Sequence, residues 1–264
     1  MAAQARRDFF GSLRVQMKVL LALSIREAMS IAGHEGIGFF WVVGEPLFLA
    51  CGVMLMWTLV KEQTAVKVGV VPFALTGYVM ITLFRHISGK SVHVMRRNAW
   101  LIFHPNVRYL DVVLSLCLLE SIALLSTFLL AYVPLVIFGV VGPPTDLLNM
   151  FGGYLFMAWF STSIGILLAA TSELVDGLEH VIPPVLYIAL PFSGLFYFVD
   201  WLPPAVRGPL LWSPMVNAME MFRSGVFPRD VPTEWDVSYT FWCCIGTTAA
   251  GLAVLRYAQN RVKV

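Results

Sequence analysis

Long apolar runs separated by short polar segments dominate this sequence. An α-helix needs about 20 predominantly apolar residues to cross a bilayer. Six runs meet or approach this length, and we predict membrane spans at 37–60, 70–84, 110–141, 147–171, 181–199 and 237–255. The second run is short, but only Gly89 between His86 and Arg97 opposes helix, so we expect that helix to continue beyond Arg85. The pattern therefore predicts an all-α integral membrane protein, with a six-span domain over residues 37–264.

The first 36 residues differ from the rest because basic and apolar positions alternate with a helical period. Between residues 12 and 31, the basic residues Arg14, Lys18 and Arg26 share one stripe of a helix, and Leu20 and Leu21 lie on the other side. Glycines at 33, 36 and 38 follow and can end the helix. We expect residues 12–31 to form an amphipathic interface helix on the membrane surface, within a cytoplasmic segment 1–36.

Composition supports the membrane assignment and excludes several other classes. The 264 residues are 58% hydrophobic and 13% charged, with a mean hydropathy of +0.77, which is too apolar for a soluble domain of this length. The net charge of +2 is small and suggests no nucleic-acid partner. The four cysteines lie in apolar runs without metal-ligand spacing, so we expect buried thiols and no metal site.

The distribution of basic residues predicts the orientation of the spans. The N-terminal segment, the 85–108 loop, the 172–180 loop and the C-terminus together carry 13 Lys and Arg residues, against 5 in the loops on the other side. Short basic loops stay on the cytoplasmic side of a bilayer. Both termini are therefore predicted to be cytoplasmic.

The segment 85–109 combines basic residues with an aromatic cluster. Within it, residues 98–107 hold Trp100, Leu101 and Phe103 before a break at His104 and Pro105, which predicts a short amphipathic helix stopped by proline. One interpretation is an interfacial anchor in the lipid headgroups. The other is a helix that docks into a soluble partner, since a loop that only sets topology needs no aromatic residues.

Two carboxylates, Glu45 and Glu120, fall within predicted spans. A charged side chain exposed to lipid at a helix centre costs about 2.5 to 3.5 kcal/mol, so each must face protein, water or a basic partner. Structural pairing is one interpretation, for instance with Arg85 or with a backbone amide freed by Pro46. A proton relay is the other, although the spans carry few further titratable groups.

The segment 200–236 is rich in proline and charge, yet residues 209–222 contain apolar side chains at helical spacing. We predict a pair of short re-entrant helices within 202–227, because non-helical backbone survives at membrane depth only against protein or a water cavity. An interfacial aromatic belt formed by Tyr197, Trp201 and Trp212 is the alternative. Glu220 lies three residues before Arg223, close enough on a helix to form an ion pair.

Motifs for phosphoryl and acyl chemistry are absent from the sequence. It contains no G-x-x-x-x-G-K-[ST], H-E-x-x-H or G-x-S-x-G pattern. An active process would therefore need energy from a partner. An integral membrane lipid-sugar enzyme using Glu45, Glu120 and His86 is a rival hypothesis from another class, and a scaffold or receptor is a second.

Three ordered segments resemble a known family. Arg26-Glu27 with residues 38–46, then residues 87–103 continuing to the 118–120 Leu-Leu-Glu, and finally 211–216 with Glu220 and Arg223 are similar to type-2 ABC export permeases. Among these the chain resembles the capsular polysaccharide exporters. Permeases for O-antigen or teichoic acid share the architecture and remain an alternative.

The resemblance implies a bacterial inner-membrane homodimer of six-span subunits in a Gram-negative cell. Two cytoplasmic ATPase subunits would bind the ATP and Mg, so this chain would hold no cofactor and would not itself be an enzyme. The substrate would be a lipid-linked anionic polysaccharide, passed on to periplasmic and outer-membrane export components.

The resemblance and the sequence pattern together assign two sets of site residues. The set predicted to contact the ATPase is Arg26, Glu27, Arg96, Arg97, Trp100, Leu101, Phe103, His104 and Pro105. In this hypothesis Arg96 and Arg97 steer the approach of the ATPase. The set predicted to line the substrate path is Glu45, Arg85, Glu120, Phe196, Tyr197, Trp201, Trp212 and Arg223.

Overall fold

A computed structural model describes residues 9–32, 44, 46–52, 54–55, 69–103, 107–175 and 177–262. All regular secondary structure in these ranges is helical. The α-helices are α1 Phe9–Ala32, α2 Val70–Arg97, α3 Tyr109–Ile137, α4 Leu147–Ser172, α5 Leu178–Ile188, α6 Pro204–Leu211, α7 Pro214–Val226 and α8 Val237–Val262. Short 3-10 helices occupy Ala99–Phe103, Leu190–Phe192 and Val199–Trp201, and residues 46–52 are also helical.

Four helices in the described ranges, α2, α3, α4 and α8, are long and apolar enough to cross a membrane. They correspond to the second, third, fourth and sixth predicted spans. α2 continues beyond Arg85 to Arg97, as its helix-compatible sequence predicts. The first predicted span, 37–60, lies largely outside the described residues, so the total of six spans stays a prediction.

The end of α3 comes four residues before the predicted limit of 141. Pro134 lies inside the helix, and Gly139 adopts a positive φ of 71° just beyond it. Glycine reaches this left-handed conformation without the penalty that a Cβ imposes. The backbone N–H of Val140 then donates to the carbonyl of Leu135 at 2.9 Å, and this turn closes the helix.

The fifth predicted span, 181–199, does not form one continuous helix. α5 ends at Ile188 and is followed by the 3-10 helix Leu190–Phe192 and by turns through residue 196. Eleven residues extend about 16 Å, roughly half the apolar thickness of a bilayer. Pro191 cannot continue an α-helix, and Gly194 has a positive φ of 82° that turns the chain.

α4 is the central helix of the described bundle and packs against α2, α3, α7 and α8. The carboxylate of Asp146 begins it by accepting hydrogen bonds from the backbone N–H groups of Leu148 and Asn149 at 2.9 and 3.2 Å. The contact with α7 is a close backbone approach. A Cβ on Gly153 would lie 2.7 Å from the Cα of Phe222 and 2.8 Å from the carbonyl oxygen of Ala218.

The two short helices α6 and α7 coincide with the pair predicted within 202–227. Most residues of α7 are buried, including Met215, Met219 and Phe222, which share its core-facing side. The apolar positions of α7 are therefore sheltered by protein, as the pattern predicts, whereas α6 has no buried residue and Trp212 is exposed. The apolar side chains of α1 are not sheltered in this way. Its apolar stripe, formed by Met17, Leu21, Ile25 and Met29, is exposed on the described chain.

The cysteines differ in part from the expectation of buried thiols. All four are free, and Cys117 and Cys244 are buried. Cys51 is exposed and Cys243 is partly exposed. No disulfide links the four cysteines.

The close packing of α4 on α7 makes Gly153 intolerant of a side chain. We predict that Gly153→Ala destabilises the fold by about 1 to 3 kcal/mol, because backbone atoms cannot move aside as a side chain can. The measurement is the midpoint of thermal unfolding in detergent, compared with wild type.

Gly152→Ala is the matched control in the same helical turn. Its Cβ would meet only the flexible end of the Met221 side chain at 2.6 Å. We therefore expect a smaller loss than for Gly153→Ala. Equal midpoints for the two variants would contradict the close backbone approach.

Candidate functional site

A cluster of five residues joins α1 to the end of α2, and we call it the inner cluster: Arg26, Glu27, Arg97, Asn98 and Trp100. The buried Glu27 carboxylate forms ion pairs with Arg97 and, at 3.4 Å, with Arg26. Arg26 also donates a hydrogen bond to the side-chain oxygen of Asn98. Asn98 follows the last residue of α2 and donates its side-chain amide to the Val94 carbonyl at 3.0 Å. α1 is therefore held to the C-terminal end of α2 by charge-assisted contacts.

In the 3-10 helix Ala99–Phe103, one predicted contact residue is exposed and its neighbour is buried. Trp100 is 63% exposed, and the Arg26 guanidinium lies over its ring at 5.0 Å from the centroid. Leu101 is instead buried in the core. Leu101 was predicted to contact the partner, but its side chain is not exposed on the described chain. The side chain of Phe103, and His104 and Pro105 entirely, lie outside the described residues.

A cleft of about 420 Å³ opens beside the inner cluster. Its walls include Met29 and the ring of Trp100, together with the charged groups of Arg26, Glu27 and Arg97. The cleft combines an exposed aromatic side chain with paired charges at its rim, which is the composition of protein interfaces rather than of catalytic sites.

Arg96 and Arg97, which we predicted to steer a partner, are both paired within the chain. Arg96 contacts the Glu179 carboxylate at 3.2 Å, and Glu179 lies in the first turn of α5. His93 lies 3.4 Å from the same carboxylate. The contacts of Glu179 tie α2 to α5, and both arginines remain about half exposed. The electrostatic steering assigned to them stays a prediction.

Glu120 faces protein and is paired, although not with Arg85 as anticipated. Its side chain is 2% exposed. One carboxylate oxygen lies 3.0 Å from His86 Nδ1, and the other accepts a hydrogen bond from Lys90 Nζ. Both partners lie one turn apart on α2, so the contact joins α2 to α3 and satisfies a charge that would otherwise be costly in the membrane.

Arg85 lies beside this cluster and makes a different contact. Its guanidinium is 4.4 Å from the centroid of the Tyr187 ring on α5. Glu45, the other predicted carboxylate, lies outside the described residues. The structure therefore supports structural pairing for Glu120, whereas the role assigned to Glu45 stays a prediction.

At the opposite end of the bundle, α7 carries three buried polar residues at a spacing of three, which we call the outer polar row: Asn217, Glu220 and Arg223. The Glu220 carboxylate accepts hydrogen bonds from the backbone N–H groups of Val199 and Glu234, each at 3.3 Å. Asn217 donates to the Leu211 carbonyl at 2.6 Å. The row satisfies backbone groups of the irregular segments around α7.

Arg223 is fully buried and organises the turn that follows α5. Its guanidinium donates to the carbonyls of Gly194, Leu195 and Tyr197 at 2.8, 3.0 and 2.6 Å. It also lies over the ring of Phe73 at 4.3 Å. Arg223 therefore stabilises the fold and does not line an open path. The Glu220–Arg223 ion pair suggested by their spacing is replaced by hydrogen bonds from each residue to backbone groups.

The predicted aromatic residues of the path have different environments. Trp212 is 76% exposed, and its backbone carbonyl accepts a hydrogen bond from the Tyr239 hydroxyl at 2.6 Å. Trp201 is also exposed, yet its ring stacks on Phe73 with centroids 5.4 Å apart. Phe196 is exposed and Tyr197 is partly buried.

Two of the predicted path residues, Arg223 and Glu120, lie far apart along α2. Arg223 contacts Phe73 and approaches Gly77, near the start of α2. Glu120 contacts His86 and Lys90, which lie about 14 to 26 Å further along the same helix at 1.5 Å per residue. The two groups therefore occupy different levels of the bundle.

Several residues of these clusters were not singled out from the sequence as site residues. Asn98, Glu179 and Asn217 carry no motif, and their partners are up to 86 residues away in the chain. A signal for the outer polar row does exist, since polar residues at 217, 220 and 223 interrupt an otherwise apolar helix at a spacing of three. Within the described ranges, no group of three His, Cys, Asp or Glu residues could hold a metal ion.

Comparison with known proteins finds one matching family and several similar export proteins. The family described as ABC-2 type transporter matches residues 18–227. The capsule polysaccharide export inner-membrane protein CtrC of Neisseria meningitidis serogroup B is 32% identical over 255 residues, which cover 97% of this chain and 96% of CtrC. BexB of Haemophilus influenzae, which carries the same description, is 29% identical over 248 residues and 94% of each chain. The polysialic acid transport protein KpsM of Escherichia coli is 22% identical over 250 residues, covering 95% of this chain and 97% of KpsM.

The burial of Glu120 predicts a large cost for removing its charge. Glu120→Gln should destabilise the fold by about 2 kcal/mol, because the charge-assisted hydrogen bonds with His86 and Lys90 are lost and a buried amide cannot fully replace them. The change is measured as the free energy of unfolding in mixed micelles.

Glu179→Gln is a suitable control, since Glu179 also pairs with α2 but its side chain is 26% exposed. An ion pair that water reaches contributes about 1 kcal/mol or less. If Glu120→Gln proved no more destabilising than Glu179→Gln, Glu120 would not be the buried partner described above.

Proposed function

Because the chain belongs to the ABC-2 type transporter family, we propose that it is the membrane permease of a transporter that exports capsular polysaccharide across the bacterial inner membrane. The observation that carries this proposal is the extent of similarity. Inner-membrane proteins named for capsule or polysialic acid transport match at least 94% of this chain and of their own length.

The energy for export comes from a separate subunit in this proposal. The sequence has no phosphate-binding loop for ATP, so the ATP and Mg bind to a cytoplasmic ATPase. Two ATPase subunits assemble with a homodimer of this chain, an arrangement that the resemblance to type-2 export permeases supports. Periplasmic and outer-membrane components then receive the lipid-linked anionic polysaccharide.

We propose six spans with both termini in the cytoplasm. The four long apolar helices supply four of them, and the segments 37–60 and 178–199 supply the remaining two. The second of these crosses as α5 followed by turns, sheltered by neighbouring helices, because backbone without a regular helix is stable at membrane depth only against protein. The excess of Lys and Arg on the side of the termini favours this orientation.

The inner cluster is the proposed contact for the ATPase. Trp100 supports this assignment because a large exposed aromatic side chain beside a cleft is the type of residue that dominates the energy of protein interfaces. Arg26 stacks on its ring and pairs with Glu27, so the surface is organised before a partner binds.

α1 lies along α3, and the Ser24 hydroxyl donates a hydrogen bond to the Ser115 carbonyl at 3.1 Å. Through this packing, α1 transmits a movement of the ATPase contact to the helix bundle.

The opposite end of the bundle is the proposed exit. The helices α6 and α7 form a re-entrant pair that closes the external end of a path along the subunit interface. The exposed rings of Trp201 and Trp212 support this role, since the C–H faces of sugar rings stack on aromatic side chains. Arg223 holds the neighbouring turn in place rather than contacting the polymer.

The function is tested by removing the chain from its own bacterium. We expect cells that lack it to synthesise the capsular polymer but to retain it in the cytoplasm, and we expect the intact gene to restore surface polymer. Fractionation of cells, followed by assay of the polymer in each compartment, makes the measurement. Normal amounts of surface polymer without the chain would contradict the proposal, and loss of polymer synthesis would support the membrane-enzyme hypothesis instead.

A further inference from the structure

A second cleft, of about 660 Å³, opens between the first turn of α3 and the last turns of α8. Its polar lining is Arg108, Tyr109, Arg256 and Gln259. The remaining lining is aliphatic and includes Leu252. Polar and apolar groups are thus present in one cleft formed by two helices that are long enough to span a membrane.

The two arginines of this cleft are available for a ligand. Both side chains are exposed, and neither forms an ion pair with any residue in the described part of the chain. The nearest carboxylate in sequence, Asp111, is buried and already used. It accepts hydrogen bonds from the Gln16 side chain and, at 2.9 Å, from the backbone N–H of Arg108.

The position of the cleft along α8 places it at a membrane surface. The 26 residues of α8 extend about 39 Å, which exceeds the apolar thickness of about 30 Å by the length of six residues. Arg256 lies six residues before the end of α8 at Val262. With the start of α8 at the other interface, Arg256 lies at the level of the lipid headgroups and Leu252 lies one turn deeper.

We propose that this cleft binds the phosphate headgroup of an anionic membrane phospholipid. Two guanidinium groups supply the planar, paired donors that suit phosphate oxygens. The start of α3 adds the partial positive charge of a helix N-terminus. The Tyr109 hydroxyl and the Gln259 amide are further hydrogen-bond donors, and an acyl chain extends along Leu110 and Leu252.

The apolar part of the cleft favours a lipid over a free phosphate ion. A soluble anion would use only the polar groups, whereas a lipid also packs an acyl chain on Leu252, which lies one turn deeper in the bilayer. The inference requires only that α3 and α8 span the bilayer. It does not depend on the proposed export function.

The test is lipid binding to the purified full-length chain in a zwitterionic detergent, measured by native mass spectrometry. Phosphatidylglycerol is the probe, and phosphatidylcholine with the same acyl chains is the reference. We expect Arg108→Gln and Arg256→Gln each to weaken binding of phosphatidylglycerol roughly fivefold, and the double variant roughly 25-fold. Phosphatidylcholine shares the phosphate, but its choline cation is repelled by the two guanidinium groups, so we expect it to bind more weakly and to lose less affinity in the variants than phosphatidylglycerol does.

Arg261→Gln is the matched control. Arg261 lies on the same helix but outside the cleft, where its guanidinium is 5.1 Å from the Tyr257 ring centroid. We expect wild-type affinity for this variant. An equal loss for Arg261→Gln would show attraction by general surface charge and would overturn the proposal.

Two further measurements make the result decisive. Inorganic phosphate that displaced phosphatidylglycerol at millimolar concentration would indicate a phosphate site rather than a lipid site, and would also overturn the proposal. The thermal unfolding midpoint without added lipid should match wild type for all variants, since Arg108→Gln retains the backbone N–H that binds Asp111. If Arg108→Gln proved unstable, Arg256→Gln on its own decides the question.

Discussion

Charged side chains buried among apolar helices impose the strongest constraint on this structure. Removing an ion from water costs several kcal/mol unless nearby groups compensate for the lost hydration. Glu27, Glu120 and Arg223 are each buried, and each is compensated by groups from a different part of the chain. These three contacts therefore determine how α1 meets α2, how α2 meets α3, and how α7 holds the turn after α5.

α2 connects these charged contacts. Near its start it packs against Arg223 through Phe73, and at its end Arg97 pairs with Glu27. The helix has 28 residues and extends about 42 Å, more than the apolar thickness of a bilayer. A displacement of the inner cluster by a bound ATPase would thus be carried to the opposite end of the bundle, the proposed exit, along one helix. This geometry gives the proposed exporter a direct mechanical link between the ATPase contact and the exit.

The apolar pattern was sufficient to predict α2, α3, α4 and α8, because a long apolar run has few alternatives to a membrane-spanning helix. The apolar spacing in residues 209–222 likewise predicted that a buried helix follows α6. The pattern did not predict the break after α5, since Pro183 and Pro184 lie inside α5 whereas Pro191 and Gly194 follow its end. Helix-breaking residues in sequence do not by themselves show where the chain turns.

The site residues were harder to predict, for a physical reason. Arg223 binds carbonyls 26 to 29 residues earlier in the chain, and backbone groups leave no mark in the sequence. Leu101 and Trp100 are neighbours of similar hydrophobicity, and only the 3-10 geometry of Ala99–Phe103 buries one and exposes the other. The resemblance to export permeases singled out Arg26 and Glu27 as contacts for the ATPase, which stays a prediction, and it did not supply their partner Asn98.

The measurement that tests the central claim most directly is the ATPase activity of the complete transporter in lipid vesicles, with and without the polymer substrate. Trp100→Ala is compared with Trp242→Ala, because Trp242 is similarly exposed (67% against 63%) but lies near the opposite end of the bundle on α8. We expect Trp100→Ala to leave folding intact and to abolish polymer-stimulated ATPase activity and export, whereas Trp242→Ala retains both. Wild-type coupling and export in the Trp100→Ala transporter would contradict the claim that the inner cluster transmits the energy of ATP hydrolysis.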